Sequence, residues 1–406
     1  MSPAAVRTGA AQGSALPLGR LTIDIDAVVA NWRLLAARSG RAACAAVMKA
    51  DGYGLGVRHL APALADAGCS TFFVAHPAEG VAMRRHLTRR RGPAGGPGGV
   101  PRIFILHGLQ DGEAPLLAAN RLIPVLSTER QVRIWQDAAR EAGTALPAAL
   151  QVDSGMNRLG LAPGAFRRLA LDPDGLAGLH VELLLTHLAC ADHPADPMNA
   201  EQRRRFRQAC DCLPGIPASI ANSAAIFHGP DMALDLVRPG IALYGVDPIE
   251  RPAAENPLHP VVEWQSRILQ IREIDASEAV GYGATFRAER RTRLATVSVG
   301  YADGYLRSFS NRAYGAIDGV RVPLAGRVSM DLLTFDITDL PPDAVREGDE
   351  LELAGATVTV GELASWGGTI GYEVLTRLGS RLDRRYKKAG HLVENEEDFH
   401  EPASIG

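Results

Sequence analysis

The chain has 406 residues, 46% hydrophobic and 22% charged, which is ordinary for a globular protein and long enough for a large barrel plus a second domain. A formal net charge of −3 gives no electrostatic reason to bind nucleic acid or an anionic membrane, and no apolar run reaches the length of a membrane span. The five cysteines are odd in number and lack metal-site spacing, so they read as incidental thiols of a reducing cytoplasm, with no metal expected.

Residues 1–20 are rich in Ala, Gly, Ser and Pro, lack the layout of a signal peptide, and read as a disordered leader. Leu21 to Ile25 reads as a short strand ahead of the barrel, with Asp26 as N-cap of a helix over Ala27 to Arg38. Apolar strands then alternate with helical stretches. The strands are predicted at Ala43–Met48, Thr71–Ala75, Arg102–Leu106, Leu122–Val125, Ala148–Val152, Val181–Leu185, Ala218–Ala221 and Leu236–Ile241. Eight such units predict an α/β fold, a (β/α)8 TIM-type barrel over residues 21–258. Between the second helix and the third strand, Arg89 to Gly99 reads as a flexible insertion. Proline and polar residues from Pro252 to Pro260 mark a boundary, and segments up to Thr357–Val360 predict a mostly-β domain over 259–395. Residues from Glu394 onward read as loose.

The chemistry collects at the ends of the barrel strands, where such folds hold their ligands. Lys49 ends the first strand and enters the run Val47-Met48-Lys49-Ala50-Asp51-Gly52-Tyr53-Gly54-Leu55-Gly56. Glycines allow close backbone approach to a ligand, and a desolvated lysine has a lowered pKa suited to Schiff-base chemistry. Lys49 alone reads as a strand-end lysine that reaches out to water, and with these neighbours as a candidate to carry pyridoxal 5′-phosphate. Arg158 follows the fifth strand, His187 the sixth, and Asn222 and Ser223 the seventh, where phosphate is often held. Asn222 and Ser223 serve equally well as a plain helix cap. Arg238, in the apolar eighth strand before Pro239-Gly240-Ile241, needs an acceptor, with a structural ion pair as the alternative.

These motifs resemble, over roughly residues 21 to 390, the alanine racemases, which are fold-type III pyridoxal-phosphate enzymes. The resemblance implies that Lys49 binds the cofactor aldehyde, and that Tyr53, Ser223, Gly240 and Ile241 surround its phosphate with Asn222 nearby. It further implies that Arg238 meets the pyridine nitrogen, Arg158 holds the substrate carboxylate, and His187 lies between Arg238 and the catalytic tyrosine. In the second domain, Val299-Gly300-Tyr301-Ala302-Asp303-Gly304 resembles the family's second signature, which makes Tyr301 the second acid/base beside Lys49. Gly326-Arg327-Val328-Ser329-Met330-Asp331 resembles the segment that closes the substrate pocket, with Met330 at the substrate and Arg327 and Asp331 behind it. In the family these residues reach the partner's barrel, so the resemblance implies a homodimer with composite sites acting on alanine, commonly for peptidoglycan.

Two positions depart from the family pattern. Gln151 stands where the family often has a lysine, so Arg158 is expected to be oriented by another group or by Gln151 itself. Ser380 is matched to a phosphate-contacting tyrosine, which puts one phosphate contact in doubt. A racemase of broader amino-acid specificity and a non-catalytic pyridoxal-phosphate carrier are the alternatives. The second domain with Tyr301 and Met330 argues against the carrier, and Arg238 argues against a decarboxylase.

Overall fold

The structure, a computed structural model, describes residues 19–92, 94 and 99–393. Strand β1 (Gly19–Asp24) leads into helix α1 (Ile25–Arg38). The barrel strands follow: β2 (Ala43–Cys44), β3 (Ala46–Val47), β4 (Thr71–Val74), β5 (Arg102–Ile105), β6 (Leu122–Leu126), β7 (Leu146–Gln151), β8 (Leu179–Leu185), β9 (Ala218–Ser219) and β10 (Leu236–Val237). Strands β3 to β9 pair in parallel in chain order, and β10 pairs in parallel with β2. Strands β2 and β3 are one course interrupted at Ala45. The ring closes where Val47 N donates to Pro239 O at 2.9 Å and Arg238 N to Ala221 O at 2.9 Å. The expected (β/α)8 barrel is therefore present. Every residue of β4 and β6 is buried, as the uniformly apolar sequences Thr71-Phe72-Phe73-Val74 and Leu122-Ile123-Pro124-Val125-Leu126 require when both faces are covered.

The covering helices include α2 (Val57–Asp66), α3 (Pro77–Arg91), α4 (Ala114–Ala119), α5 (Glu129–Ala142), α6 (Pro163–Leu171) and α7 (Pro197–Cys210). Helix α5 shows why they form. Thr128 accepts the Gln131 amide as N-cap, Val132, Trp135 and Ala139 share one buried face, and Gly143 at φ 62° ends the helix.

The second sheet is mostly antiparallel. It contains β11 (Val262–Ile274), β14 (Thr292–Val297), β15 (Tyr314–Ile317), β16 (Val320–Pro323), β17 (Leu333–Asp336), β18 (Glu350–Ala354), β19 (Asp383–Lys388) and β20 (His391–Val393). A small hairpin, β12 (Ala279–Val280) with β13 (Phe286–Arg287), stands apart. Helices α8 (Val360–Gly367) and α9 (Gly371–Thr376) lie between β18 and β19.

Several expectations are corrected. The short strand expected ahead of the barrel is present, but β1 lies between β11 and β19 and belongs to the second sheet although most of it falls within 21–258. Gly19 and Arg20, expected in the leader, are part of it. The N-cap of α1 is Asp24, whose side chain accepts from Ala27 N at 3.0 Å, rather than Asp26. Arg89 to Arg91 are the last turn of α3, and Arg90 and Arg91 both pair with Asp66. Thr357–Val360 is not a strand, because Thr359 and Glu362 form the capping box of α8. The eighth strand stops at Val237, and Ile241–Tyr244 is a 3-10 turn. The leader up to residue 18, most of the insertion beyond Gly92 and the stretch from Glu394 lie outside the described residues.

Candidate active site

The turn after β3 positions the lysine. Ala50, Asp51, Gly52 and Tyr53 all have positive φ between 53° and 65°, a left-handed turn that only Gly52 adopts without penalty. Such a conformation costs non-glycine residues about 1–2 kcal/mol each, so surrounding structure must hold it. Glu79 accepts the Ala50 amide at 2.7 Å, and Asp51 accepts the Val57 amide at 2.8 Å. From the second domain, Arg384 donates to Gly54 O at 2.5 Å and Tyr386 to Leu55 O at 3.1 Å. The strained turn is thus clamped from both domains.

Lys49 opens into a cavity of about 340 Å³ whose wall includes Arg158, His187, Asn222, Ser223, Arg238, Gly240 and Ile241, together with Tyr53. All the residues expected around the cofactor therefore meet in one place. Burial holds the Lys49 amine below the usual lysine range, Arg158 adds to the effect, and Glu79 opposes it. Burial, then the charges of Arg238, Arg158 and Lys49, push the His187 imidazole down to about 3, so it is neutral here.

Arg238 is buried and has no carboxylate partner among the described residues. Its guanidinium donates to Thr186 O at 2.5 Å and to the Ser219 hydroxyl. The ion-pair alternative is therefore not realised. Burial lowers Arg238 to about 10, and it remains a cation at neutral pH. Behind it runs a buried polar chain that sequence reading did not single out. Gln202 on α7 donates to Ser154 Oγ at 3.1 Å and to His187 O at 2.9 Å, and Ser154 bonds Thr186 at 2.8 Å.

Ser223 Oγ accepts the Gly240 and Ala242 amides at 2.8 and 3.3 Å. Asn222 caps the next turn by accepting the Ala225 amide at 3.1 Å while still lining the cavity. The capping role is realised, and the side chain remains at the cavity wall. At Gly240 a Cβ would lie 2.2 Å from the Tyr53 hydroxyl, so only glycine lets that phenol approach. Tyr372 on α9, which sequence reading missed, completes this end of the wall, its ring 5.9 Å from that of Tyr53. Tyr372 thus offers a second phenol at this end of the wall, and Ser380 is not among the residues that line the cavity. Gln151 makes no hydrogen bond to the Arg158 guanidinium. Its Nε2 donates to Leu159 O at 2.9 Å and straps down the loop that carries the arginine.

This set fits pyridoxal phosphate. It offers an amine of lowered basicity, a glycine cradle beside two hydroxyls, and a buried guanidinium without an anion.

Tyr301 is not in this cavity. It stands 44% exposed on the second domain, with Met330 53% exposed and Arg327 and Asp331 also exposed. These residues form a unit of their own. Tyr301 N donates to Ser329 O and Ala302 N to Met330 O, both at 3.0 Å. Arg381 forks onto buried Asp303 with two bonds of 2.8 Å and reaches Asp331 at 2.7 Å. Within one chain, the group around Tyr301 therefore stands apart from the cavity that holds Lys49. Among the described residues no helix is long and apolar enough to cross a membrane.

Two family models match. "Alanine racemase, N-terminal domain" covers residues 23–248, and "Alanine racemase, C-terminal domain" covers residues 261–386. A biosynthetic alanine racemase of Agrobacterium fabrum is 46% identical over 378 residues, 90% of this chain and 93% of the relative. A catabolic alanine racemase of Mesorhizobium japonicum is 45% identical over 366 residues, 90% of this chain and 92% of the relative. The crystal structure of alanine racemase from Bartonella henselae with covalently bound pyridoxal phosphate superposes with a TM-score of 0.84 at 38% identity, over 91% of this chain and 99% of that one.

Proposed function

The chain belongs to the alanine racemase family, and from that premise we propose that it interconverts L- and D-alanine with pyridoxal 5′-phosphate, by two bases supplied from two subunits of a cytoplasmic homodimer. The convergence of Lys49, Arg158, Arg238 and neutral His187 on one cavity carries the reading.

Lys49 would hold the cofactor's aldehyde end. Tyr53, Ser223, Gly240, Ile241 and Tyr372 would hold its phosphate, and Arg238 its ring nitrogen. When bound, the cofactor withdraws electrons from the substrate α-carbon and so acidifies its hydrogen. Arg238 donates a hydrogen bond but does not surrender its proton, which limits electron withdrawal at the ring and disfavours side reactions such as transamination. Arg158 pairs with the substrate carboxylate and orients the α-hydrogen. The Lys49 amine takes or returns a proton on the D face, and the Tyr301 hydroxyl does so on the L face.

The separation of Tyr301 from the Lys49 cavity supports the two-subunit arrangement. An exposed set of Tyr282, Tyr301, Met330 and Leu332 on one domain, with Leu159, Ile370 and Tyr372 at the barrel mouth, is more exposed apolar surface than a lone chain needs. A self-complementary pairing would bring the two together. The five free cysteines accord with a reducing compartment. Similar identity to biosynthetic and catabolic relatives leaves identity neutral between those roles. Supply of D-alanine for peptidoglycan is the role we favour.

Proton NMR of L-alanine in heavy water, followed by a D-specific oxidase assay, tests the proposal. We expect the α-proton signal to vanish as D-alanine accumulates. Exchange without D-alanine would show a single working base and overturn the two-base assignment.

A further inference from the structure

Two histidines at the mouth of the cavity have no part in the chemistry above. His76 follows β4 and His107 follows β5, and these paired strands set their rings edge-on, 4.4 Å between centroids at 86°. Both are exposed, and His107 also lines the cavity that holds Lys49. The His107 backbone is fixed on both sides, its amide donating to Ala75 O at 3.1 Å and its carbonyl accepting from Gln131 Nε2 at 3.0 Å.

A two-base reaction leaves its bases in the wrong protonation states after each turnover. In the D-to-L direction Lys49 gains the α-hydrogen as a proton while Tyr301 gives one up. Before the next D substrate, Lys49 must lose a proton and Tyr301 regain one. Lys49 is only partly exposed. The cavity wall offers few groups able to pass a proton. Arg158 and Arg238 stay protonated. His187 is too weak a base at about 3. Burial raises both phenols, Tyr53 strongly and Tyr372 to about 12, which makes them poor acids. The Glu79 carboxylate, though close, is engaged by the amides of Ala50, Ala75 and His76.

We infer that His107, with His76 at its outer edge, is the route by which the Lys49 amine exchanges its proton with solvent; the inference rests on the two-base reading. A neutral His107 takes a proton from the Lys49 ammonium at one ring nitrogen, across the cavity they share. It releases another from the second nitrogen to water or to His76. One proton has then reached solvent, and the imidazole is neutral again as its other tautomer.

The chain contains only three lysines, Lys49, Lys387 and Lys388, so lysine-selective 15N labelling resolves Lys49. In the full-length protein freed of cofactor, His107→Asn is expected to slow Lys49 Nζ–H exchange with water about tenfold, the low side of what a positioned proton-transfer group contributes. His76→Asn is expected to slow it in the same direction. In the holoenzyme given α-deuterated D-alanine, His107→Asn should retain more deuterium in the recovered D-alanine, and added imidazole should restore both exchange and washout. Unchanged Lys49 exchange in either variant, or slowing that imidazole does not relieve, would overturn the route. Failure of the unmodified holoenzyme to wash out α-deuterium would instead overturn the proposed function.

Discussion

At the scale of single residues, the account depends on a few groups whose surroundings change what they do. Gly240 is the sharpest case, because a methyl there meets the Tyr53 hydroxyl at 2.2 Å. Overpacking of this kind costs about 1–3 kcal/mol, so Gly240→Ala should weaken pyridoxal-phosphate binding roughly ten- to a hundredfold, read by fluorescence titration, with a smaller loss of overall stability. His187 makes a pH prediction. Its folded value of about 3 lies below the unfolded value of about 6.5, so the unfolded chain binds the proton first as pH falls. The His187 contribution is harmless above pH of about 6.5, and stability is lost progressively from there down towards about 3. The variant His187→Gln should lose stability less steeply than the parent over that window, as measured by urea midpoints. Residue identities at strand ends were legible because lysine and arginine are conspicuous in apolar strands. Tyr372 was not, since nothing local to α9 reveals that it faces Tyr53 more than 300 residues earlier in the chain.

At the scale of elements, the left-handed turn after β3 and the turn that carries Tyr301 are both shapes held from outside. Arg381 closes the second one by bridging Asp303 and Asp331. Arg381→Ala should therefore leave cofactor binding intact, speed hydrogen exchange over residues 299–304 and 326–331, and lower racemisation. Unaltered exchange in both segments would show that the clamp is dispensable. Barrel strands were readable because burial on both faces makes them uniformly apolar. Strand β19 was not, because Asp-Arg-Arg-Tyr-Lys-Lys has the composition of a solvated charge run. It is a strand because β1 and β20 pair with it, as Arg20 with Asp383 and Tyr386 with Val393. Thr357–Val360 misled in the opposite way, with β-branched residues that serve a helix cap.

At the scale of the whole molecule, β1 joins the chain's beginning to its end. It pairs with β11 on one side and β19 on the other, while α1 behind it packs on the barrel through Asn31, which bonds Leu243 O and both backbone groups of His259. This pairing spans more than 200 residues and leaves no local signature, which is why β1 reads in sequence only as a short strand ahead of the barrel. Within this frame Tyr301 stays outside the cavity that holds Lys49 of the same chain. In the proposed dimer a working site takes Lys49 from one subunit and Tyr301 from the other, and mixing two inactive variants tests this directly. Lys49→Ala and Tyr301→Phe chains, unfolded and refolded together, should regain about one quarter of parental racemisation, since half of randomly paired dimers are mixed and each holds one intact site. No activity above that of the separate variants, with mixed dimers shown to form, would contradict the composite site.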